Sequence, residues 1–178
     1  MQTTIFDPSI ANLFFSDNAA NAEVSGVEAD MIWVPAAVDG LTVSASMSML
    51  DSEITETLTP SGDVVKGDSL AFAPELQANL QARWEWETSN GMTAHFMPHM
   101  AHSGESYSDI IRINRDRIDS WIMLGLTAGV TTDTWGAELF IDNLTDERAE
   151  LSRGYTNDRS RVSYAAPRTM GIRMTYNF

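Results

Sequence analysis

Apolar and polar residues alternate along most of this chain, and that feature alone excludes most folds. Leu41, Val43, Ala45, Met47 and Met49 alternate with Thr42, Ser44, Ser46 and Ser48, the period of two that sends successive side chains to opposite faces of a strand. Leu76, Ala78, Leu80, Ala82, Trp84 and Trp86 alternate with Gln77, Asn79, Gln81, Arg83, Glu85 and Glu87. Good helix formers and Pro74 make a helix the rival here. In a helix, however, every second residue advances by about 200°, which scatters these apolar side chains round the cylinder instead of gathering them in a stripe. A strand is therefore expected.

The pattern recurs through Val27 to Trp33, Ile122 to Val130, Trp135 to Ile141 and Met170 to Phe178, less cleanly through Met92 to His102, and in part near Gln2 to Phe6. About eight strands result. Pro98 lies inside the fifth of them, where it would cost a ladder hydrogen bond. Short linkers (35–40, 88–91, 131–134) alternate with long ones (7–20, 51–74, 103–118, 145–166). Asp39-Gly40 and Asn90-Gly91 are hairpin-turn chemistry. The expected fold is an all-β, antiparallel up-and-down meander with every short turn at one end and every long loop at the other.

Composition narrows the function. The formal charge of -14 argues against an electrostatic grip on nucleic acid. All the excess acid precedes Arg112, where Lys66 and Arg83 are the sole cations; from Arg112 onward arginines and acids balance. The absence of cysteine excludes a disulfide framework, a thiolate nucleophile and Cys-based metal sites. No run approaches the roughly 18 to 20 apolar residues of a membrane-spanning helix. Trp33, Trp84, Trp86, Trp135, Tyr176 and Phe178 all fall at the short-turn end, on apolar positions, as in an aromatic girdle at a membrane–water interface.

Four motifs then resemble a known family. Asn21 to Val34 with Gly26-Val27-Glu28-Ala29-Asp30, then Phe72-Ala73-Pro74-Glu75, Asn143-Leu144-Thr145-Asp146-Glu147-Arg148, and the close from Pro167-Arg168-Thr169-Met170-Gly171 to Tyr176-Asn177-Phe178 resemble, in order and spacing, the C-terminal third of the barrel of TonB-dependent outer-membrane receptors. The resemblance implies a transmembrane barrel of about 22 strands with a plugged lumen, importing ferric siderophores, cobalamin or carbohydrates with energy from TonB. The implied location is the outer membrane of a Gram-negative bacterium, with lipid and lipopolysaccharide as surroundings. The implied assembly signal is Gly171, Met174, Tyr176 and Phe178, read by the barrel-assembly machinery. No signal peptide, TonB box or plug sequence is recognisable, so residues 1–178 are expected to be a C-terminal part of a longer barrel, with TonB acting through an N-terminal part.

No enzyme, cofactor or metal is expected. His95, His99 and His102 invite a zinc reading, but Pro98 breaks the helix on which they would share a face; on a strand His95 and His99 share a face and His102 points away. Glu138 and Asp142, roughly 13 Å apart along a strand, have no nucleophile or water site between them, and with Glu28, Asp30, Arg83, Glu85 and Arg173 they fit the polar face of a barrel wall. The arginines of the last two long loops (Arg112, Arg115, Arg117, Arg148, Arg153, Arg159, Arg161) lie among acids, as solvated loops would. Two other folds share the alternation: a small soluble β-barrel holding an apolar ligand, and a closed eight-stranded outer-membrane barrel. Period alone does not say which face is inward.

Overall fold

The computed structural model of the chain describes residues 2–6, 14–58, 62–156 and 159–178. In these residues thirteen strands follow one another: β1 (Gln2–Phe6), β2 (Phe14–Asn18), β3 (Ala20–Trp33), β4 (Leu41–Thr57), β5 (Leu76–Glu87), β6 (Thr93–Ser103), β7 (Ser106–Tyr107), β8 (Arg117–Ile118), β9 (Trp121–Thr131), β10 (Trp135–Asp142), β11 (Glu150–Thr156), β12 (Arg159–Tyr164) and β13 (Thr169–Tyr176). A 3-10 turn, Arg112–Asn114, lies between β7 and β8. Among the described residues no helix is long and apolar enough to cross a membrane, which says nothing of crossing by strands.

Seven strands form one sheet in the order β13-β10-β9-β6-β5-β4-β3, antiparallel throughout. Of the eight expected strands, seven are in this sheet. Gln2–Phe6 is also a strand, but it pairs with β2 in a ribbon of its own. The long linkers are more structured than expected: β4 continues to Thr57, the third long linker contains the pair β7–β8, and the last contains the hairpin β11–β12.

Register converts the alternation into two faces. Leu41, Trp84, Phe96, Ala128, Leu139 and Ile172 stand side by side across six strands, and so do Met31, Ala45, Leu80, Met100 and Leu124 across five. The opposite face carries rows such as Glu28, Ser48, Gln77 and Ser103. A one-residue slip anywhere would move a strand's apolar set to the polar face. The apolar face is uncovered: Val27 is 65% exposed, Leu139 60% and Ile172 64%. In all, the chain exposes 12017 Å², against about 8,600 Å² for a folded monomer of its mass. Among the described residues β13 and β3 are open edges, so these strands do not close into the small barrel that a ligand-binding or eight-stranded form needs.

The aromatics sort by level as expected. Trp33, Trp84, Trp86, Trp135, Tyr176 and Phe178 share the apolar face at the short-turn end; Trp84 and Trp86 have ring centroids 4.9 Å apart, and Tyr176 and Phe178 5.1 Å. Trp84 also donates its indole N–H to the Asp39 carbonyl at 3.2 Å. Gly40 has φ 75°, and a Cβ there would meet the Glu85 carbonyl oxygen, so this turn requires glycine. Pro98 is tolerated in an inner strand because the β5–β6 ladder passes from Gln81↔His99 to Trp84↔Phe96 without bridging the residues between.

Most of the fully buried apolar residues lie at the other end. Ala19, Ala20, Ile54, Val64 and Ile110 form a cluster against which Leu70, Ala71 and Ile111 pack. The tall β3–β4 ribbon stands beyond its neighbours, and residues 62–75 fold back on it through Ile54 N–H to Asp68 O, Gly67 N–H to Ile54 O, both 2.9 Å, and Leu70 N–H to Ser52 Oγ at 3.2 Å.

Candidate functional site

Two regions bring chemistry-bearing side chains together: the polar face of the sheet and the long-loop end. On the polar face, His95 on β6, Gly129 on β9, Glu138 on β10 and Arg173 on β13 are in register. His95, 6% exposed, reaches across β9 to place Nε2 3.2 Å from Glu138 Oε2, and Arg173 donates to the other carboxylate oxygen. The reach depends on Gly129: a Cβ there would sit 2.7 Å from the His95 ring and 2.7 Å from the Ala137 carbonyl oxygen. One step along, His99 lies over Gly125, and its Nε2 is 3.8 Å from Asp142 Oδ1, too long for a hydrogen bond.

His102 instead lies on the apolar side in the row Ala29, Met47, Ala78 and Ile122, and its Nδ1 is 2.9 Å from the Trp121 carbonyl oxygen. The three histidines therefore do not converge, and among the described residues no group of three metal-ligating side chains comes together. Glu138 and Asp142 each face a different histidine rather than each other.

At the long-loop end the arginines are organised. Arg112 donates from Nε and Nη2 to the two Asp68 oxygens, both at 3.2 Å. Arg115, its side chain 8% exposed, holds the Ser69 and Asp109 carbonyls at 2.9 Å, sits 3.7 Å from Asp68 and lies 3.9 Å over the Tyr107 ring. Arg117 pairs with Glu105 and Asp119. Arg153 grips Glu150 with two bonds of 2.7 and 2.8 Å and Asp116 Oδ2 with a third of 2.9 Å; the Tyr155 hydroxyl donates to that same oxygen. Arg148 lies 4.9 Å over the Tyr164 ring, and Arg159 and Arg161 are exposed on β12. The expected interspersed acids are present, but they tie loops to one another.

These contacts shift three ionisations. The Tyr155 hydroxyl, and then the Arg153 guanidinium, hold the Asp116 carboxyl below its usual range. The hydrogen bond to Asp116 pushes the Tyr155 phenol up, and hydrogen bonds to Glu150 and then Asp116 hold the Arg153 guanidinium more firmly protonated.

The motif from Asn143 to Arg148 is a clip. Asn143 is 7% exposed with φ 52°, a left-handed geometry that Asn tolerates. Its Nδ2 donates to the Glu147 and Ala166 carbonyls, both at 2.9 Å, while Oδ1 accepts from Glu147 N–H at 2.8 Å. Asp146 Oδ1 accepts from Arg168 N–H at 2.9 Å. One side chain thus fastens both the exit and the return of the last loop. Phe72, with φ 53°, donates its N–H to the Tyr107 carbonyl at 2.8 Å where the earlier loop re-enters the sheet.

Of the four terminal residues singled out by sequence, Met174 and Tyr176 lie exposed on the apolar face of edge strand β13, and Phe178, two residues beyond its end, is exposed with its ring against Tyr176. Gly171 faces the other way, beneath the Phe140 ring, whose Cζ would be 2.7 Å from an added Cβ. That aromatic-over-glycine packing gives Gly171 a local structural reason.

Comparison with known proteins places this geometry. The family described as "TonB dependent receptor-like, beta-barrel" matches residues 1–144. Against curated protein sequences the chain finds no match. Among solved structures, the ferric yersiniabactin uptake receptor FyuA of Yersinia pestis superposes with a TM-score of 0.76 at 21% identity, over 92% of this chain and 25% of that one. BauA, the ferric preacinetobactin receptor of Acinetobacter baumannii, gives 0.71 at 20% identity over 99% and 26%. The siderophore receptor PiuA from the same organism gives 0.68 at 20% over 97% and 24%. The chain spans about a quarter of the length of each. A meander with one apolar face, aromatics at the short-turn level and interlocked long loops, matched over 144 residues by the family's own pattern, belongs to the TonB-dependent receptor-like β-barrel family.

Proposed function

We propose that residues 1–178 form a C-terminal part of an outer-membrane receptor barrel, with the apolar face toward lipid, the polar face toward the lumen and the long loops outside. The observation that carries this reading is the uncovered apolar face, continuous across the sheet in register and edged by aromatics at one level. The 12 residues of β5 rise about 40 Å, which at a barrel tilt of about 40° spans roughly a bilayer core. In water such a face would be an aggregation surface.

Within the receptor the chain supplies wall and loops for energised uptake of a scarce solute such as a ferric siderophore. No catalytic role or cofactor is assigned to it. TonB acts through parts of a receptor that this chain does not span. Lipopolysaccharide surrounds the outer half of the apolar face. Met174 and Tyr176 on edge strand β13, Phe178 just past its end, and Gly171 serve as the signal for the barrel-assembly machinery.

Deletion of the gene that encodes the parent receptor is expected to abolish TonB-dependent uptake of radiolabelled iron from at least one ferric siderophore in a panel, and the protein is expected in the detergent-extracted outer-membrane fraction. Uptake unchanged across the panel would overturn the siderophore reading. Recovery of the protein in the soluble fraction would overturn the membrane reading. Phe178→Ser is expected to lower the amount of assembled barrel without altering uptake per assembled molecule.

A further inference from the structure

We propose that the β11–β12 hairpin is a latched flap, hinged at Asn143 and held closed on the neighbouring loop through one carboxylate oxygen, Asp116 Oδ2. The hinge side is the clip already described, which fixes Glu147 and Ala166 and so sets where the hairpin leaves and rejoins the wall. The latch side is a convergence. Arg153 Nη1 and the Tyr155 hydroxyl, both from β11, donate to Asp116 Oδ2. Among the described residues these are the hydrogen bonds that join the hairpin to the β7–β8 loop.

The two sides of the latch differ in rigidity. Asp116 is a fixed post: its N–H donates to Ser108 Oγ at 2.9 Å, its carbonyl accepts from Ser108 N–H at 3.0 Å, and Ser108 in turn holds the Asn114 carbonyl. The hairpin has no such anchorage. No residue from Glu150 to Thr156 or from Arg159 to Tyr164 is buried, and Ala149 at its base, 2% exposed, is where apolar burial stops. A two-stranded hairpin with no hydrophobic face is marginal on its own, and segments without buried apolar contacts open at the lowest free energy. Arg153 is pre-set for the latch because Glu150 holds its guanidinium in place from within the same strand. Opening therefore exchanges two bonds to one oxygen for water and leaves the hinge intact.

Amide hydrogen exchange on the intact receptor in detergent tests this. Asp116→Asn is expected to speed exchange of the 150–164 amides about tenfold, with the amides of residues 64–71 and of the Asn143 clip unchanged. Tyr155→Phe, which removes one donor from the hairpin side and leaves the post untouched, is expected to give a smaller increase of about threefold in the same amides. Wild-type exchange at 150–164 in both variants would overturn the latch. If Tyr155→Phe speeds exchange equally in the hairpin and in residues 64–71, the two move as one unit and the flap is overturned.

Discussion

The cap over the β3–β4 ribbon and the β11–β12 hairpin occupy the same end of the molecule and are both rich in arginine–acid pairs, yet they are held by different physics. The cap closes on Ile54, Val64 and Ile110, with Arg112 and Arg115 fastening Asp68 above that apolar centre. The hairpin has the charges without the centre. Ion pairs near a surface contribute little by themselves and are screened by salt, whereas each large apolar side chain taken from water contributes about 1.5–3 kcal/mol. The same residue types thus yield a rigid element in one loop and a releasable one in the next.

The largest effect should come from the apolar centre. Ile110→Ala is expected to cost about 3 kcal/mol of local stability, seen as faster amide exchange through residues 64–71 and 106–118, with a smaller rise in the hairpin because its post, Asp116, lies in the second of these segments. Asn143→Ala should come next. It leaves the Glu147 and Ala166 carbonyls unpaired at the hinge, costs about 2 kcal/mol, and should loosen the hairpin at its base, as proteolytic nicking within 147–166 would show, while the cap stays intact.

A smaller effect follows pH. Asp116 titrates below its usual range in the folded chain, so its stabilisation of the latch is present above about pH 4 and is lost as pH falls through the depressed value. Tyr155 titrates above its usual range, so its contribution is present below about pH 10 and is lost as pH rises through the elevated value. Hairpin exchange corrected for its intrinsic pH dependence should therefore rise at both extremes, and Asp116→Asn should flatten the acid limb. The smallest effect is that of salt: at 1 M NaCl, where the screening length is about 3 Å, hairpin exchange should rise modestly while the apolar centre of the cap is unmoved.

How much of this was legible in the sequence differs between the wall and the loops. Alternation names the face of each residue without knowledge of its neighbours, so Glu28, Asp30, Arg83, Glu85, Glu138, Asp142 and Arg173 could be assigned to one face, and His102 separated from His95 and His99, before any strand was paired. Interstrand reach was not legible. That His95 needs Gly129, and His99 Gly125, depends on which residue of β9 stands opposite, and β9 begins 18 residues after β6 ends, beyond a structured loop. Charge balance in the last loops was visible, but balance does not say who pairs with whom. Nothing local to Asp116 marks it as the acceptor for Arg153, 37 residues away.

Spacing within short segments was enough to place the seven strands of the sheet, their antiparallel order, the apolar face, the aromatic level and the family motifs. It took contacts across the fold to leave that sheet's edges open, to put most of the buried apolar cluster in the loops, to make Asn143 a clip, and to bring Arg153 and Tyr155 to one oxygen. Those outcomes depend on distances between segments far apart in the chain. Residue type specifies what a side chain can bond to, and only the folded register specifies what comes within reach.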